Sequence, residues 1–279
     1  MKSVKTFVQE QQKKYVEGWQ NDSNYILDKG LYEWMIAQLN GKYEHVLEIG
    51  CGIGKSTLEL LKSGRKIISI DENYYCIEQT YKLLVNMGFR VLKINDRLDR
   101  KLTGNFYKSE PKTKKLPEAV NVFENYDCIL VQSDILNDLE LIHFCKTIEL
   151  NAVVCWLIGT HAAKFFDANL ENQVRTPLEY RFKVQNTIYT IADELLTKSG
   201  VLNIIDRGIY LDEDNQKNLI RSHMEQAEVT NLNVVDQVSQ VEFGVPPENG
   251  VGVVKQETLE ANIEITKQCL WLHSVNSFK

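Results

Sequence analysis

A doubly wound α/β protein with a mainly parallel sheet and an N-terminal helical cap is the fold this sequence predicts, on three observations. Short apolar runs alternate with stretches of helical periodicity from residue 45 onward. A glycine-rich turn follows the first of those runs, and an acid ends the second. Before them lie about forty residues whose apolar side chains recur only at helical spacing. Strands that are apolar throughout, separated by amphipathic helices, are the pattern of βαβ units with both sheet faces covered.

The elements follow in order. Val4, Phe7 and Val8, then Tyr25, Ile26, Leu31, Trp34, Met35 and Leu39, predict helices over 4–18 and 23–40, stopped by Asn40-Gly41. The alternation then runs strand HVLEI, helix KSTLELLKS, strand KIISID, helix YYCIEQTYKLLVNM, strand RVLKI, an irregular stretch, strand YDCILVQ, helix LNDLELIHFCKTIE and strand NAVVCWLI. Residues 187–199 predict a helix closed by Ser199-Gly200, and VLNIIDRGIYL the strand after it. A polar helix is expected over about 213–228 and a terminal strand at QCLWLHSV, while 229–260 has no clear assignment. The expected organisation is a cap over 1–41 and a sheet domain over 42–279, with insertions near 97–120 and 213–260. The first insertion holds seven Lys or Arg between 97 and 115 against two acids, which predicts a solvated segment able to steer an anion.

Composition narrows the function. With 25% charged and 43% hydrophobic residues, the 279-residue chain can build a sizeable core. A net charge of −6 disfavours a nucleic-acid partner, because phosphate backbones repel it. Six cysteines without a CxxC pair predict neither a disulfide framework nor a zinc site, and no metal-ligand cluster stands out. The N-terminus is too polar for a signal peptide and no apolar run could span a bilayer, so a cytoplasmic protein without a membrane partner is expected; the oligomeric state is not legible.

The stretch HVLEIGCGIGKSTLELL carries the site. Gly50, Gly52 and Gly54 let the chain turn sharply where a buried strand meets a helix N-terminus, and Asp71 ends the next strand, where an acid can accept ribose hydroxyls. Gly54-Lys55-Ser56 ends like a phosphate-binding loop, but the position five before Gly54 is Ile49, so that loop is one residue short. A dinucleotide turn would need a third glycine at Lys55.

Glu48-Ile49-Gly50-Cys51-Gly52-Ile53-Gly54 resembles the [D/E]xGxGxG motif of class I S-adenosylmethionine-dependent methyltransferases, and the likeness covers roughly residues 45–211. The resemblance implies a Rossmann-like sheet of seven strands and S-adenosyl-L-methionine as cofactor. It places Gly50, Cys51, Gly52 and Gly54 against that cofactor, Glu48 at its amino end, Asp71 on its ribose, and Asn95 and Asp96, after the third strand, at its adenine. YDCILVQSDIL resembles the family's fourth strand, whose end faces the transferable methyl group, so Gln132, Ser133 and Asp134 become site candidates. No [DN]PP[YF] tetrad follows it, which removes support for a planar amino acceptor such as adenine, and no double-glutamate pattern of arginine methylation is evident.

His161, just past the fifth strand, is a candidate general base beside Asp134; equally, it could be a loop histidine without chemistry. His143 falls on a helix and reads as packing, while Tyr15 and Trp19 either close over the cofactor or pack the cap. The expected activity is methyl transfer to an oxygen or nitrogen of a small molecule. A protein methyltransferase, a nicotinamide oxidoreductase and a non-catalytic cofactor-binding protein are the alternatives.

Overall fold

The computed structural model describes residues 4–39, 41, 43–104, 106–112, 116, 122–170, 174–250 and 269–279. The cap is a long helix α1 (Val4–Asp28) and a short α2 (Leu31–Ala37), parted at Gly30, whose φ of 67° is left-handed. The stretch 19–22, expected to separate two helices, lies with Ser23 inside α1. Polar side chains there have tertiary partners: Ser23 Oγ meets Tyr32 Oη at 2.6 Å, and Asp22 meets Arg207 at 3.1 Å.

The sheet domain then runs β1 (His45–Ile49), α3 (Lys55–Lys62), β2 (Lys66–Asp71), α4 (Tyr74–Asn86) and β3 (Val91–Ile94). A hairpin follows, β4 (Leu98–Thr103) and β5 (Phe106–Pro111), then α5 (Val122–Asn125), β6 (Cys128–Gln132), α6 (Leu139–Cys145) and β7 (Leu150–Trp156). A 3-10 turn (Ala162–Phe166), α7 (Pro177–Leu195), β8 (Leu196–Gly208), α8 (Glu213–Ala227), β9 (Asn233–Val234), β10 (Ser239–Gly244) and β11 (Leu270–Phe278) complete it. Local chemistry sets the helix starts: Asn73, Asp138, Thr176 and Asp212 each accept a backbone N–H of the first turn, and Thr176 with Glu179 closes a reciprocal box.

The described sheet has nine strands rather than the expected seven, in the order β10-β11-β8-β7-β1-β2-β6-β3 with β9 beside β11. The two strands beyond the seven expected are β10 and the two-residue β9, both paired with β11. Numbered afresh, the remaining seven run 3-4-2-1-5-6-7 across the sheet. All pairings from β3 to β8 are parallel, and β11 is antiparallel to both neighbours. Alternate residues feed opposite cores: Val46, Ile67, Cys128 and Leu130 join the α1–α4 side, while Leu47, Ile68, Ile129 and Val131 join the α6–α8 side.

This order corrects the assignment of the fourth strand. YDCILVQ is β6 and pairs with β2, while the place on the other side of β1 belongs to NAVVCWLI, β7. The chain of apolar runs is legible in sequence but their lateral order is not, since RVLKI reads as well as any other strand although it ends up outside β6. Two further corrections follow. Ser199-Gly200 does not stop a helix: α7 ends at Leu195, and Ser199, at φ 67°, lies in a bulge where β8 slips register against β7. The basic insertion is a hairpin anchored at its base and not simply solvated. Arg97 and Tyr107 are buried, Arg97 meets Asp138 at 2.7 Å, and Tyr107 O accepts Ala168 N–H at 2.6 Å. Its lysines 101, 108 and 112 remain at the surface, whereas 114 and 115 lie outside the described residues.

All six cysteines are free thiols; five are buried and Cys269, at the start of β11, is exposed. Burial pushes the Cys145 thiol up to about 12 and that of Cys51 well above the usual thiol range. No helix among the described residues is long and apolar enough to cross a membrane.

Candidate functional site

In a doubly wound sheet the crevice opens at the carboxyl ends of the strands where the order reverses. Here that point is β1, with β2 on one side and β7 on the other. The loops leaving β1, β2, β6 and β7 line one cleft of about 610 Å³, its open mouth included.

The floor is the glycine turn. Gly50, Gly52 and Gly54 all have positive φ, at 86°, 52° and 85°. Its N–H groups point into the fold: those of Gly50 and Cys51 donate to Ile70 O at 2.9 and 3.0 Å, that of Gly52 to Asp71 Oδ2 at 3.0 Å, and that of Gly54 to Cys51 O at 2.9 Å. Asp71 Oδ1 also accepts the Asn73 N–H at 2.8 Å, so this one carboxylate clasps both turns. Burial pushes its carboxyl up to about 7 against the pull of the Asn73 and Gly52 N–H groups, and the charge of Glu72 adds to the rise.

Glu48 does not line the cleft. It points beneath α3, where Ser56, Thr57 and Ser69 hydroxyls donate to it at 2.5, 2.6 and 2.6 Å. Burial raises its carboxyl above the usual range despite these bonds. It therefore fixes the glycine turn to α3 and β2.

The roof comes from the cap. Tyr15 and Trp19 of α1 line the cleft, and α1 is tied to the β2 loop where Asn73 Nδ2 donates to Gln12 O at 3.1 Å. Contact is close: a Cβ added to Gly52 would stand 2.3 Å from Trp19 Nε1, one added to Gly159 2.7 Å from Tyr15 Oη, and one added to Gly50 2.9 Å from Ile158 Cδ1.

The walls carry the charge. Glu72 stands 2.7 Å from His161 Nε2 and 3.2 Å from Arg100. Burial alone would raise the Glu72 carboxyl, but His161 and Lys164 hold it well below the usual range. Lys164 is fully buried between Asp134, at 2.6 Å, and Asp167, at 3.1 Å. Burial would lower its ammonium, yet Asp134 and Glu72 outweigh that and raise it.

Of the sequence candidates, the structure brings Gly50, Gly52, Asp71, Ser133, Asp134 and His161 together around this cleft. Asn95, Asp96 and Gln132 line a separate one toward the sheet edge. Asn95 donates to Glu78 at 2.8 Å, the mostly exposed Asp96 pairs with Lys112 at 2.7 Å, and Gln132 receives the Arg97 N–H at 3.2 Å. The separation follows from strand order, because Asn95 and Asp96 leave the edge strand β3 whereas Ser133 and Asp134 leave β6, next to β2. Sequence reasoning passed over Glu72, Trp156 and residues 157–159, whereas Thr160 and Tyr180 fall in the stretch 160–186 that it read as shaping the pocket. The adjacent acids Asp71-Glu72 were a readable signal for the first; Trp156 and residues 157–159 follow only from β7 lying beside β1.

No family model matches the chain, and no curated protein matches it. Solved structures similar to it include TrmN from Thermus thermophilus, at 10% identity and a TM-score of 0.47, matched over 89% of this chain and 48% of that one. The chain thus spans about half of that protein's length. The N-methyltransferase NodS from Bradyrhizobium japonicum WM9, solved with S-adenosyl-l-homocysteine, matches at 12% identity and a TM-score of 0.43, over 89% of this chain and 86% of that one. Geranyl diphosphate methyltransferase, solved with GPP and sinefungin, matches at 9% identity and a TM-score of 0.46, over 90% and 78%. Likenesses at this level say nothing of substrate or activity. On its own topology the chain is a Rossmann-like α/β protein with a cleft between its central glycine turn and its N-terminal helix.

Proposed function

We propose that the chain binds S-adenosyl-L-methionine in this cleft and transfers its methyl group to a small molecule. One observation carries the reading: the N–H groups of Gly50, Cys51, Gly52 and Gly54 are all engaged within the protein, on a turn facing acids rather than cations. A loop that binds a pyrophosphate or a triphosphate presents its N–H groups to the ligand. This one has none of those four to offer, and Asp71, Glu72 and Asp134 around it would repel a phosphate. A cationic, phosphate-free nucleoside suits both features, and aromatic side chains such as Tyr15, Trp19 and Trp156 along the cleft would favour a positive centre.

When bound, the cofactor supplies an electrophilic methyl group. The chain supplies the surroundings. Asp71 has acceptor capacity beyond its two backbone donors and would take ribose hydroxyls. Ser133 and Asp134, leaving β6, would flank the adenine side in place of Asn95 and Asp96. Tyr15 and Trp19 exclude water, and displacement at the methyl carbon depends chiefly on such alignment and dryness. The loop after β7 faces the acceptor.

Isothermal calorimetry with S-adenosylhomocysteine, NAD and ATP in parallel tests this reading. We expect one S-adenosylhomocysteine per chain and no heat with the other two. Binding of NAD without S-adenosylhomocysteine would move the protein to the oxidoreductases.

A further inference from the structure

We infer that the cleft takes a hydroxyl-bearing acceptor at Thr160 and His161, with His161 Nδ1 receiving the hydroxyl proton and Glu72 orienting the ring. The inference rests on the methyl-transfer reading and narrows it to one acceptor chemistry. It starts from polar atoms that the fold buries and leaves unmatched. Thr160 Oγ1 and His161 Nδ1 have no hydrogen-bond partner among the described residues, while His161 Nε2 lies 2.7 Å from Glu72, and His161 is only 3% exposed. Buried polar groups in folded proteins are as a rule matched, and these two, adjacent on a loop that lines a cleft, point to a ligand.

The loop is also held in a costly shape: Leu157, which opens it, has φ 54°, a left-handed conformation that a branched side chain rarely adopts. Thr160 and His161 stand where two clefts meet. Both line the cleft over the glycine turn, and both line a wider one of about 1060 Å³, mouth included, between α1 and the turn at Asn249-Gly250. An acceptor entering through the second cleft reaches the first at these two residues.

The neighbours decide the chemistry. Around the His161–Glu72 pair are Arg100, Lys164 with Asp134 and Asp167, and Tyr107 of the hairpin, while Tyr15 of α1 and Tyr180 of α7 line the same cleft. A carboxylate or phosphate would meet Glu72 and Asp134, while the nearby cations Arg100 and Lys164 are paired. An ammonium would need several acceptors, but Glu72 is engaged by His161 and Arg100, and Asp134 by Lys164, Leu136 N and Asn137. A hydroxyl needs one acceptor and one donor, which Nδ1 and Thr160 Oγ1 provide. The Nε2 contact with Glu72 is short at 2.7 Å yet off the N–H axis, and a small rotation of the ring aligns it, as happens when unliganded sites tighten.

In the transfer the hydroxyl proton passes to Nδ1, and the oxygen pair it leaves forms the bond to the methyl carbon. The electron pair of the broken carbon–sulfur bond stays on sulfur, and the imidazolium returns its proton to solvent. His161 is thus the catalytic residue and Glu72 a positioning residue.

Side-chain nitrogen NMR of the full chain tests this without turnover, since only five histidines contribute and His161→Gln assigns the signal. At a pH where the imidazole is neutral, we expect His161 in the Nε2–H form with Nδ1 bare, and loss of that preference in Glu72→Gln and Glu72→Ala. An Nδ1–H tautomer, a ring that stays doubly protonated, or a preference unchanged in both Glu72 variants would each overturn the assignment. In a second arm phenol, benzylammonium and benzoate are added to the S-adenosylhomocysteine complex. Phenol alone should shift the Nδ1 resonance; a response to benzylammonium or benzoate instead defeats the hydroxyl assignment. Failure of S-adenosylhomocysteine to bind would sink the methyl-transfer reading and leave the tautomer result legible.

Discussion

Replacing Asp71 by Ala probes the clasp on the glycine turn. In the sequence its role was a ribose contact; in the structure it already accepts Gly52 N–H at 3.0 Å and Asn73 N–H at 2.8 Å. Each hydrogen bond to a charged acceptor is worth roughly 1.5 to 3 kcal/mol, so losing both takes about 3 to 6 kcal/mol from the order of the two turns, less what water restores. If half of that is felt by the ligand, S-adenosylhomocysteine affinity falls by roughly ten- to a hundredfold, at 1.4 kcal/mol per tenfold. The chain should still fold, because neither bond reaches the core between sheet and helices. Calorimetry gives the affinity, and amide exchange at Gly52 and Asn73 reports the local loosening. Asp71→Asn keeps one acceptor oxygen and should lie between the two. A folded Asp71→Ala protein with unchanged affinity and unchanged exchange at those amides would refute the clasp.

Two further outcomes follow from geometry and titration. Gly52→Ala puts a methyl group 2.3 Å from Trp19 Nε1 on a backbone at φ 52°, so the indole must move: we expect a change in Trp19 emission and at least tenfold weaker S-adenosylhomocysteine binding, and an unaltered spectrum would show that the cap does not press on the turn. His223 is buried on α8 with Nδ1 2.8 Å from Tyr189 Oη, and burial pushes its imidazole down to about 4. With the folded value below the unfolded 6.5, the contribution is present above about pH 6.5 and lost as pH falls toward 4, by about 3 kcal/mol at most. Urea unfolding of the wild type and His223→Gln at pH 5 and pH 7 should show a shallower pH dependence in the variant, and parallel slopes would contradict it.

Periodicity placed the parallel strands, β11 and most of the covering helices because both sheet faces are buried, which makes those strands apolar throughout and the helices amphipathic. The half-exposed hairpin β4–β5 and the strands β9 and β10 carry no such pattern and were not placed. The glycine turn was legible for the same local reason, since three glycines in five residues at a strand end allow few other conformations. Lateral order was not legible. Nothing in RVLKI or YDCILVQ says which lies beside β2, and that one choice puts Ser133 and Asp134, rather than Asn95 and Asp96, at the cleft over the glycine turn. Glu48 shows a second limit: the motif gives its position on β1, but the alternation of side chains sends it beneath α3 to three hydroxyls, two from α3 and one from β2. The hairpin shows a third, since a run of basic residues hides a buried cation, Arg97, whose partner Asp138 is far along the chain.

The distribution of thiols makes this chain a convenient object for labelling. Five of its cysteines lie in the packed interior and the sixth, Cys269, is open to reagents at the edge of the domain. Glu242 accepts the Cys269 S–H at 3.3 Å and raises its thiol above the usual range, so alkylation will want a mildly alkaline buffer. A single fluorophore or spin label can therefore be attached to the wild-type sequence without removing any cysteine. Set on β11 as a fixed reference point, it allows the distance to a second probe on α1 to be followed while ligands enter and leave beneath that helix.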